Sequence, residues 1–230
     1  MIASAASPFR IVLLGPPASG KGTQGRRLAQ SLSLDYLSTG AVLREHVERQ
    51  TPLGKLAEPI LDRGEYLPDD LMFPILGEWL SSRSKGWVLD GFPRSVPQAE
   101  FLDDWLLEKE GKLDAAVSLE VPFDQLLSRI QNRVECPSCR WSGQRSQLLE
   151  GDLCPVCHSP AGPRPDDGEE NFRSRYAEFM GLTEPVIARY RSLGILLPID
   201  ATSSQDVVAA EILRHFQRPD SKPAYQSSSL

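Results

Sequence analysis

Short apolar runs recur along the chain and are separated by stretches with helical periodicity. Residues 22–33, 169–192 and 205–216 place apolar side chains three or four positions apart, as one face of a helix requires. The apolar runs have the length and apolar character of parallel strands buried on both faces. They are FRIVLL (9–14), LDYLS (34–38), GWVLD (86–90), AAVSLEV (115–121) and ILLPID (195–200). This alternation predicts an α/β fold with a five-stranded parallel sheet covered by helices on both faces.

Two segments interrupt this alternation and look like insertions. Residues 39–67 have helical periodicity but contain no strand pattern. Residues 134–164 are rich in Cys, Pro and Gly and have no helical period. Because this second segment has few apolar residues, we expect it to need a metal to hold its fold. The last residues, 218–230, have the composition of a disordered tail.

Charge and composition exclude several classes of protein. The 230 residues carry a formal net charge of −6, which argues against broad affinity for nucleic acids or membranes. No run approaches the roughly 20 apolar residues of a membrane span, and MIASAASPFR lacks the features of a signal peptide. All four cysteines fall in C-x-x-C pairs, which are typical of metal binding in a reducing compartment. We therefore expect a cytoplasmic protein.

The stretch GPPASGKGTQ, at 15–24, follows the first strand directly and nearly matches the P-loop pattern. Gly15 and Gly20 let the backbone curl so that successive N–H groups can bind an anion. Lys21 would reach the β- and γ-phosphates of a nucleotide. The pattern departs at Gly22, where a P-loop has the Ser or Thr that binds Mg²⁺, and Thr23 comes one residue late. Thr23 can still donate its hydroxyl to a phosphate.

Asp90 ends the third apolar run and is followed by GFPR. A carboxylate at the carboxyl end of a parallel strand beside a P-loop is well placed to hold Mg²⁺ through water. The GTPase motifs D-x-x-G and N-K-x-D are absent from the sequence. The sequence therefore predicts a nucleotide site that does not belong to a GTPase.

The four cysteines form the pattern C-x2-C-x14-C-x2-C, which predicts a tetrahedral site of four thiolates. Such a site leaves no open position for water, so we expect a structural metal. Zinc is preferred and iron is the alternative, and His158 could replace one ligand. The predicted ligands are Cys136, Cys139, Cys154 and Cys157.

Together these motifs resemble the adenylate kinase family, in its long form with a metal-binding lid. The segments GPPASGKGTQ, STGAVLR, YLPDD, LDGFPRSVPQA, RIQNRV and RPDD occur in the order of that family. The resemblance implies a P-loop core of three layers, α/β/α, made of residues 9–38, 68–133 and 165–217. It further implies a helical AMP-binding insertion at 39–67 and a zinc-bearing lid at 134–164.

The resemblance also implies an activity and the residues that carry it. The reaction would be the reversible conversion of ATP and AMP to two ADP, with Mg²⁺, by a monomer. Asp166 and Asp167 would tie the lid to the core. The implied ATP-binding residues are Gly15, Ser19, Gly20, Lys21, Gly22, Thr23 and Arg129. The implied AMP-binding residues are Thr39, Arg44, Glu65, Leu67, Gly91, Arg94 and Gln98. The implied catalytic residues are Lys21, Asp90, Arg94, Arg133, Arg164 and Arg175.

Arginines suit this chemistry because the acceptor phosphate is already anionic near pH 7 and needs no general base. Three alternatives remain open: a kinase for another nucleoside monophosphate, a GTP-dependent AMP kinase, and a zinc-ribbon regulator that binds nucleic acid. Three positions depart from the family pattern. Ala41 replaces a usual Asp, Ala201 replaces a frequent Gly, and Ala18 replaces a P-loop glycine, which is tolerable if its φ is negative.

Overall fold

The computed structural model describes residues 9–164 and 166–216. The predicted tail at 218–230 lies outside the described residues. Among the described residues, no helix combines the length and the apolarity that crossing a bilayer requires.

Seven strands lie in the described residues, and five of them form one parallel sheet. The strands are β1 (Arg10–Leu14), β2 (Asp35–Ser38), β3 (Trp87–Asp90), β4 (Ala115–Glu120), β5 (Arg133–Glu135), β6 (Ser142–Gln144) and β7 (Leu196–Asp200). The parallel sheet has the order β2-β3-β1-β4-β7, whereas β5 and β6 form an antiparallel hairpin. The predicted sheet is confirmed at each of the five apolar runs.

The helices fill the intervals between these strands. They are α1 (Lys21–Leu32), α2 (Thr39–Glu48), α3 (Pro52–Asp62), α4 (Asp69–Ser81), α5 (Val96–Glu108), α6 (Phe123–Gln131), α7 (Glu169–Glu178), α8 (Glu184–Ser192) and α9 (Gln205–Arg214). Residues Phe179–Thr183 join α7 to α8 as a single π-helical turn. The predicted helix at 169–192 is therefore one helical run with a wide turn inside it.

The alternation of side chains along β1 divides the core into two layers. Val12 and Leu14 contact the group of buried side chains that includes residues of α4, α5 and α8. Ile11 and Leu13 instead contact a group that includes residues of α1 and α9. Because each face of the sheet is covered by helices, the three-layer α/β/α architecture is confirmed.

The two interrupting segments differ in how they are stabilised. Residues 39–67 form α2 and α3, whose side chains join the main core through Leu43 and Ala57. Residues 134–164 contain the β5–β6 hairpin and one short 3-10 turn, with only a small buried group around Cys136 and Cys154. Their roles as an AMP-binding insertion and a lid stay predictions.

Candidate functional site

A cavity of about 760 Å³ lies where β1 and β3 end, bounded by residues 15–24, by α2 and by the 134–164 segment. Most of the predicted site residues line it. They are Gly15, Ser19, Gly20, Lys21, Gly22, Thr23, Arg44, Asp90, Gly91, Arg94, Arg129, Arg133, Arg164 and Arg175. A parallel sheet offers its ligand site at the carboxyl ends of its strands, and the cavity lies there.

Four predicted residues lie outside the cavity wall. Thr39 is buried, and its hydroxyl donates to the carbonyl oxygen of Gly91 over 2.9 Å. Gln98 is buried and accepts from the backbone N–H of Arg94 over 2.8 Å. Leu67 is buried in the core, and the side chain of Glu65 forms an ion pair with Arg63. Thr39 and Gln98 thus support the wall through Gly91 and Arg94, which line the cavity.

The loop between β1 and α1 is folded around its glycines and its lysine. Gly15 has φ +136°, and a Cβ there would lie 2.8 Å from the carbonyl oxygen of Leu119. Lys21 Nζ donates to the carbonyl oxygens of Gly15 and Pro16 over 2.7 and 2.8 Å. Burial, with the charges of nearby arginines, lowers the pKa of Lys21 to about 7, although Asp90 opposes the shift. The loop therefore presents a desolvated amine that gains from an anionic partner.

Ala18 corrects one expectation from the sequence. Its substitution for a glycine was expected to be tolerable at negative φ, but the structure gives it φ +63°. A left-handed conformation costs a non-glycine residue about 1–2 kcal/mol because Cβ approaches the backbone. The methyl group also packs against the apolar group formed by Leu126, Ile130 and Phe172, and this contact partly offsets the strain.

Gly22 and Asp90 lie next to each other in the cavity wall, and Tyr36 contacts Asp90. Tyr36 donates its hydroxyl to Asp90 Oδ2 over 2.8 Å. A Cβ on Gly22 would lie 3.5 Å from the same oxygen and 3.8 Å from the Tyr36 hydroxyl. The glycine thus leaves the carboxylate uncovered toward the cavity. Sequence reasoning missed Tyr36, because its contact with Asp90 spans 54 positions.

Arg94 lines the cavity and is held from several sides. Its Nε donates to the carbonyl oxygen of Gly91 over 2.7 Å, and its guanidinium lies 4.4 Å from the centre of the Tyr66 ring. Thr183 donates its hydroxyl to the carbonyl oxygen of Arg94 over 2.9 Å. Tyr66 and Thr183 both line the cavity, and sequence reasoning missed both as site residues.

Three further arginines that line the cavity are paired with carboxylates. Arg133 Nε donates to Asp167 over 2.7 Å, and Arg175 donates to Asp166 over 3.0 Å. The remaining pair joins Arg164 to Glu135, a carboxylate that the sequence did not single out. These pairs bring the ends of the 134–164 segment together with α7.

Burial and neighbouring charges shift the pKa values of several of these groups. Burial, with the charges of Arg133 and Arg44, lowers the pKa of Arg164 to about 10. Burial raises the pKa of Asp166, but the surrounding arginines outweigh it and hold that pKa below its ordinary value. Positive charge is thus concentrated around the cavity, and anions are the ligands that such a site favours.

The 134–164 segment also contacts α2 across the mouth of the cavity. Arg140 donates to both carboxylate oxygens of Glu48, over 3.1 and 2.8 Å. This two-pronged geometry is the stronger form of an Arg–carboxylate pair. The cavity is therefore bridged by a contact between the two inserted segments.

The four cysteines converge on one point. Their sulfur atoms all lie within 4.8 Å of one another, with 3.4 Å between Cys136 and Cys157 and 3.6 Å between Cys139 and Cys154. Tetrahedral ligation at a Zn–S distance of ~2.3 Å would separate the sulfurs by ~3.8 Å. The thiols thus fit such an ion, and the cluster found among the described residues does not include His158.

The sequence matches one family of known proteins over most of its length. The family model for adenylate kinase matches residues 13–195. The adenylate kinase of Petrotoga mobilis is 38% identical over 218 residues, which cover 91% of this chain and 100% of the relative. That of Thermodesulfovibrio yellowstonii is 42% identical over 208 residues, covering 87% of this chain and 95% of the relative. The match spans most of the chain at well above 30% identity, and the chain belongs to the adenylate kinase family.

Proposed function

We propose that this protein catalyses the reversible transfer of the γ-phosphoryl group of ATP to AMP, giving two ADP. The observation that carries the proposal is a single cavity lined both by the P-loop and by Arg44 and Arg94. Such a cavity can bring two phosphate-bearing nucleotides together. The curated relatives named adenylate kinase support the same activity.

Each end of the cavity would bind one nucleotide. The P-loop N–H groups and Lys21 would bind the β- and γ-phosphates of ATP, and Arg129, which also lines the cavity, would bind ATP with them. Arg44 and Arg94 would bind the phosphate of AMP. Arg44 Nε is buried and has no hydrogen-bond partner among the described residues. Because a buried donor without a partner is costly, this nitrogen suits a ligand oxygen.

The transfer itself would depend on positioning and on positive charge. The acceptor oxygen is ionised near pH 7, so the enzyme need not remove a proton from it. Arg133, Arg164 and Arg175 would surround the phosphoryl group in flight and stabilise the charge of its loose transition state. To do so, each arginine would lose part of its contact with Asp167, Glu135 or Asp166 and would bind phosphate oxygens instead.

Mg²⁺ would accompany ATP and lie near Asp90. The carboxylate is uncovered beside Gly22, and its other contact, the Tyr36 hydroxyl, fixes its orientation. Asp90 would hold the ion through water, since Gly22 offers no hydroxyl at the usual P-loop position. When bound, Mg²⁺ neutralises part of the charge on the phosphates.

The two inserted segments would exclude water while the phosphoryl group is reactive. Residues 39–67 would close over AMP and residues 134–164 over ATP. The Arg140–Glu48 contact supports this because it joins the two segments over the cavity. Exposed ion pairs contribute only about 0–1 kcal/mol, so the contact would favour closure without preventing opening.

We also infer that the cysteine cluster holds a structural Zn²⁺, with iron as the alternative metal. The spacing of the sulfur atoms and the small apolar core of residues 134–164 support this. The protein would act as a monomer in the cytoplasm without a nucleic-acid or membrane partner. The supporting observations are the net charge of −6, the free cysteines and a cavity built from one chain.

The proposal is tested by supplying AMP, CMP, UMP and GMP as acceptors to the purified protein, each with ATP or GTP and Mg²⁺. We expect ADP from ATP and AMP, with much lower turnover of the other acceptors. Phosphorylation of another monophosphate while AMP is inert would overturn the assignment. Salt-dependent binding of DNA or RNA without any kinase activity would favour the zinc-ribbon alternative.

A further inference from the structure

A π-helical turn at Phe179–Thr183 lies directly before Glu184 and Pro185 in the helical run from α7 to α8. In this turn the N–H of Glu184 donates to the carbonyl oxygen of Phe179, five residues earlier. Pro185 comes next, and in a regular helix its ring would clash with the carbonyl of Gly181. The wide turn does not end the helical run, which continues as α8. Single π turns inside helices frequently occur at functional sites.

The wide turn lets Thr183 reach across to another element. A threonine inside a helix commonly hydrogen-bonds with its hydroxyl to a carbonyl three or four residues earlier. Thr183 instead donates to the carbonyl oxygen of Arg94 over 2.9 Å, although 89 positions separate the two residues. Its side chain is buried among its neighbours, with 4% of the residue exposed, and it lines the cavity. The Tyr66 hydroxyl lies 3.5 Å away.

Thr183 completes a set of contacts that fixes Arg94. The backbone N–H of Arg94 is bound by Gln98, its Nε by the carbonyl of Gly91, and its guanidinium face by the Tyr66 ring. Within the described part of the chain, neither terminal nitrogen of this guanidinium has a hydrogen-bond partner. The backbone, the Nε and one face of the Arg94 side chain thus contact protein groups, while its two terminal nitrogens can bind an anion.

We propose that Thr183 is a positioning residue for the acceptor phosphate, acting through Arg94. A planar guanidinium binds two phosphate oxygens only when its plane and edge are correctly aimed. Sites of this kind need the binding group held within about 0.5 Å and 10–20° of its working geometry. The Thr183 hydroxyl restrains the carbonyl of Arg94 and so the direction in which its side chain leaves the backbone. The inference rests on the proposed function, because it assumes that Arg94 binds AMP.

The test compares Thr183→Val, which keeps the shape but removes the hydroxyl, with Thr183→Ser, which restores it. Calorimetry gives the Kd for AMP and for ATP, and steady-state kinetics separate kcat from KM. We expect Thr183→Val to raise the Kd and KM for AMP about tenfold, as loss of a buried hydrogen bond allows. The Kd for ATP should change by no more than about twofold, and Thr183→Ser should recover most of the AMP affinity.

The outcomes separate this inference from the proposed function. A wild-type protein that neither binds nor phosphorylates AMP defeats the proposed function itself. If the wild type binds AMP, an unchanged AMP Kd in Thr183→Val overturns the positioning role. Equal weakening of AMP and ATP, or no recovery in Thr183→Ser, also overturns it, because a packing defect would act in that way. Should Thr183→Val not fold, Thr183→Ala supplies the same comparison against the serine variant.

Discussion

Lys21 combines a charged role with a buried position, and its ionisation should respond to the ligand. Burial lowers its pKa from an ordinary value near 10.5 to about 7. Between these two values the unfolded chain holds more protons on this lysine than the folded chain does. The contribution of Lys21 to the free energy of unfolding therefore rises with pH across that window. Phosphates close to the amine would favour its charged form and raise its pKa again.

We therefore expect ATP binding to take up about one proton per chain at about pH 8.5, where the free lysine is largely neutral. Calorimetric titrations in buffers with different ionisation enthalpies measure this uptake. The matched control is Lys21→Arg, whose guanidinium stays charged and should show little uptake. Equal proton uptake by the two proteins would show that another group is responsible.

Whether a site residue could be predicted from the sequence depends on how far apart along the chain its contacts lie. Gly15, Gly20 and Lys21 could be predicted because a P-loop is a local motif that folds on its own glycines. Tyr36 and Thr183 could not, since each acts on a residue that only the fold brings close. Ala18 shows a different limit. The sequence shows that an alanine replaces a glycine there, but the positive φ of this alanine depends on the path of the whole loop.

At the scale of elements, apolar periodicity predicts where strands and helices lie. It does not predict how these elements contact one another. The run at 169–192 is predicted as a helix, yet it contains a π turn whose Thr183 contacts Arg94 in the site. The packing of α2 against α3 is a second contact that apolar periodicity does not predict. It depends on Gly54, where a Cβ would lie 2.0 Å from the carbonyl oxygen of His46 and 2.7 Å from the backbone nitrogen of Val47.

Gly54→Ala should therefore lower the free energy of unfolding by about 2 kcal/mol, because backbone atoms cannot yield as a side chain can. Gly77→Ala is the matched control, since it makes the same change in α4 where no atom lies within 4 Å of the added Cβ. That variant should instead gain about 0.5–1 kcal/mol from helix propensity. Urea denaturation measures both changes, and a Gly54→Ala protein as stable as the control would contradict the close α2–α3 contact.

Across the whole molecule, stability is unevenly distributed. The parallel sheet is buried between two large apolar groups, one on each face. In the 134–164 segment the buried residues are few, and the cysteine group consists of Cys136, Cys154 and Ala161, with Trp141 and Leu148 packed against them. Burial at about 25 cal/mol per Å² cannot order thirty residues on so small a core. The segment therefore depends on its cysteines in a way that the sheet does not.

Removal of the metal should unfold this segment and leave the sheet in place. Elemental analysis of the purified protein should find about one zinc or iron per chain. After chelation, limited proteolysis should cut within 134–164, while the remaining core melts near its original temperature. Cys139→Ser and Cys157→Ser should behave alike without chelator, because both cysteines are exposed and their loss removes a ligand rather than core packing. Ser138→Ala, beside Cys139, is the matched control and should stay resistant. A metal-free protein whose 134–164 segment resists the protease would show that the four thiols hold no structural ion.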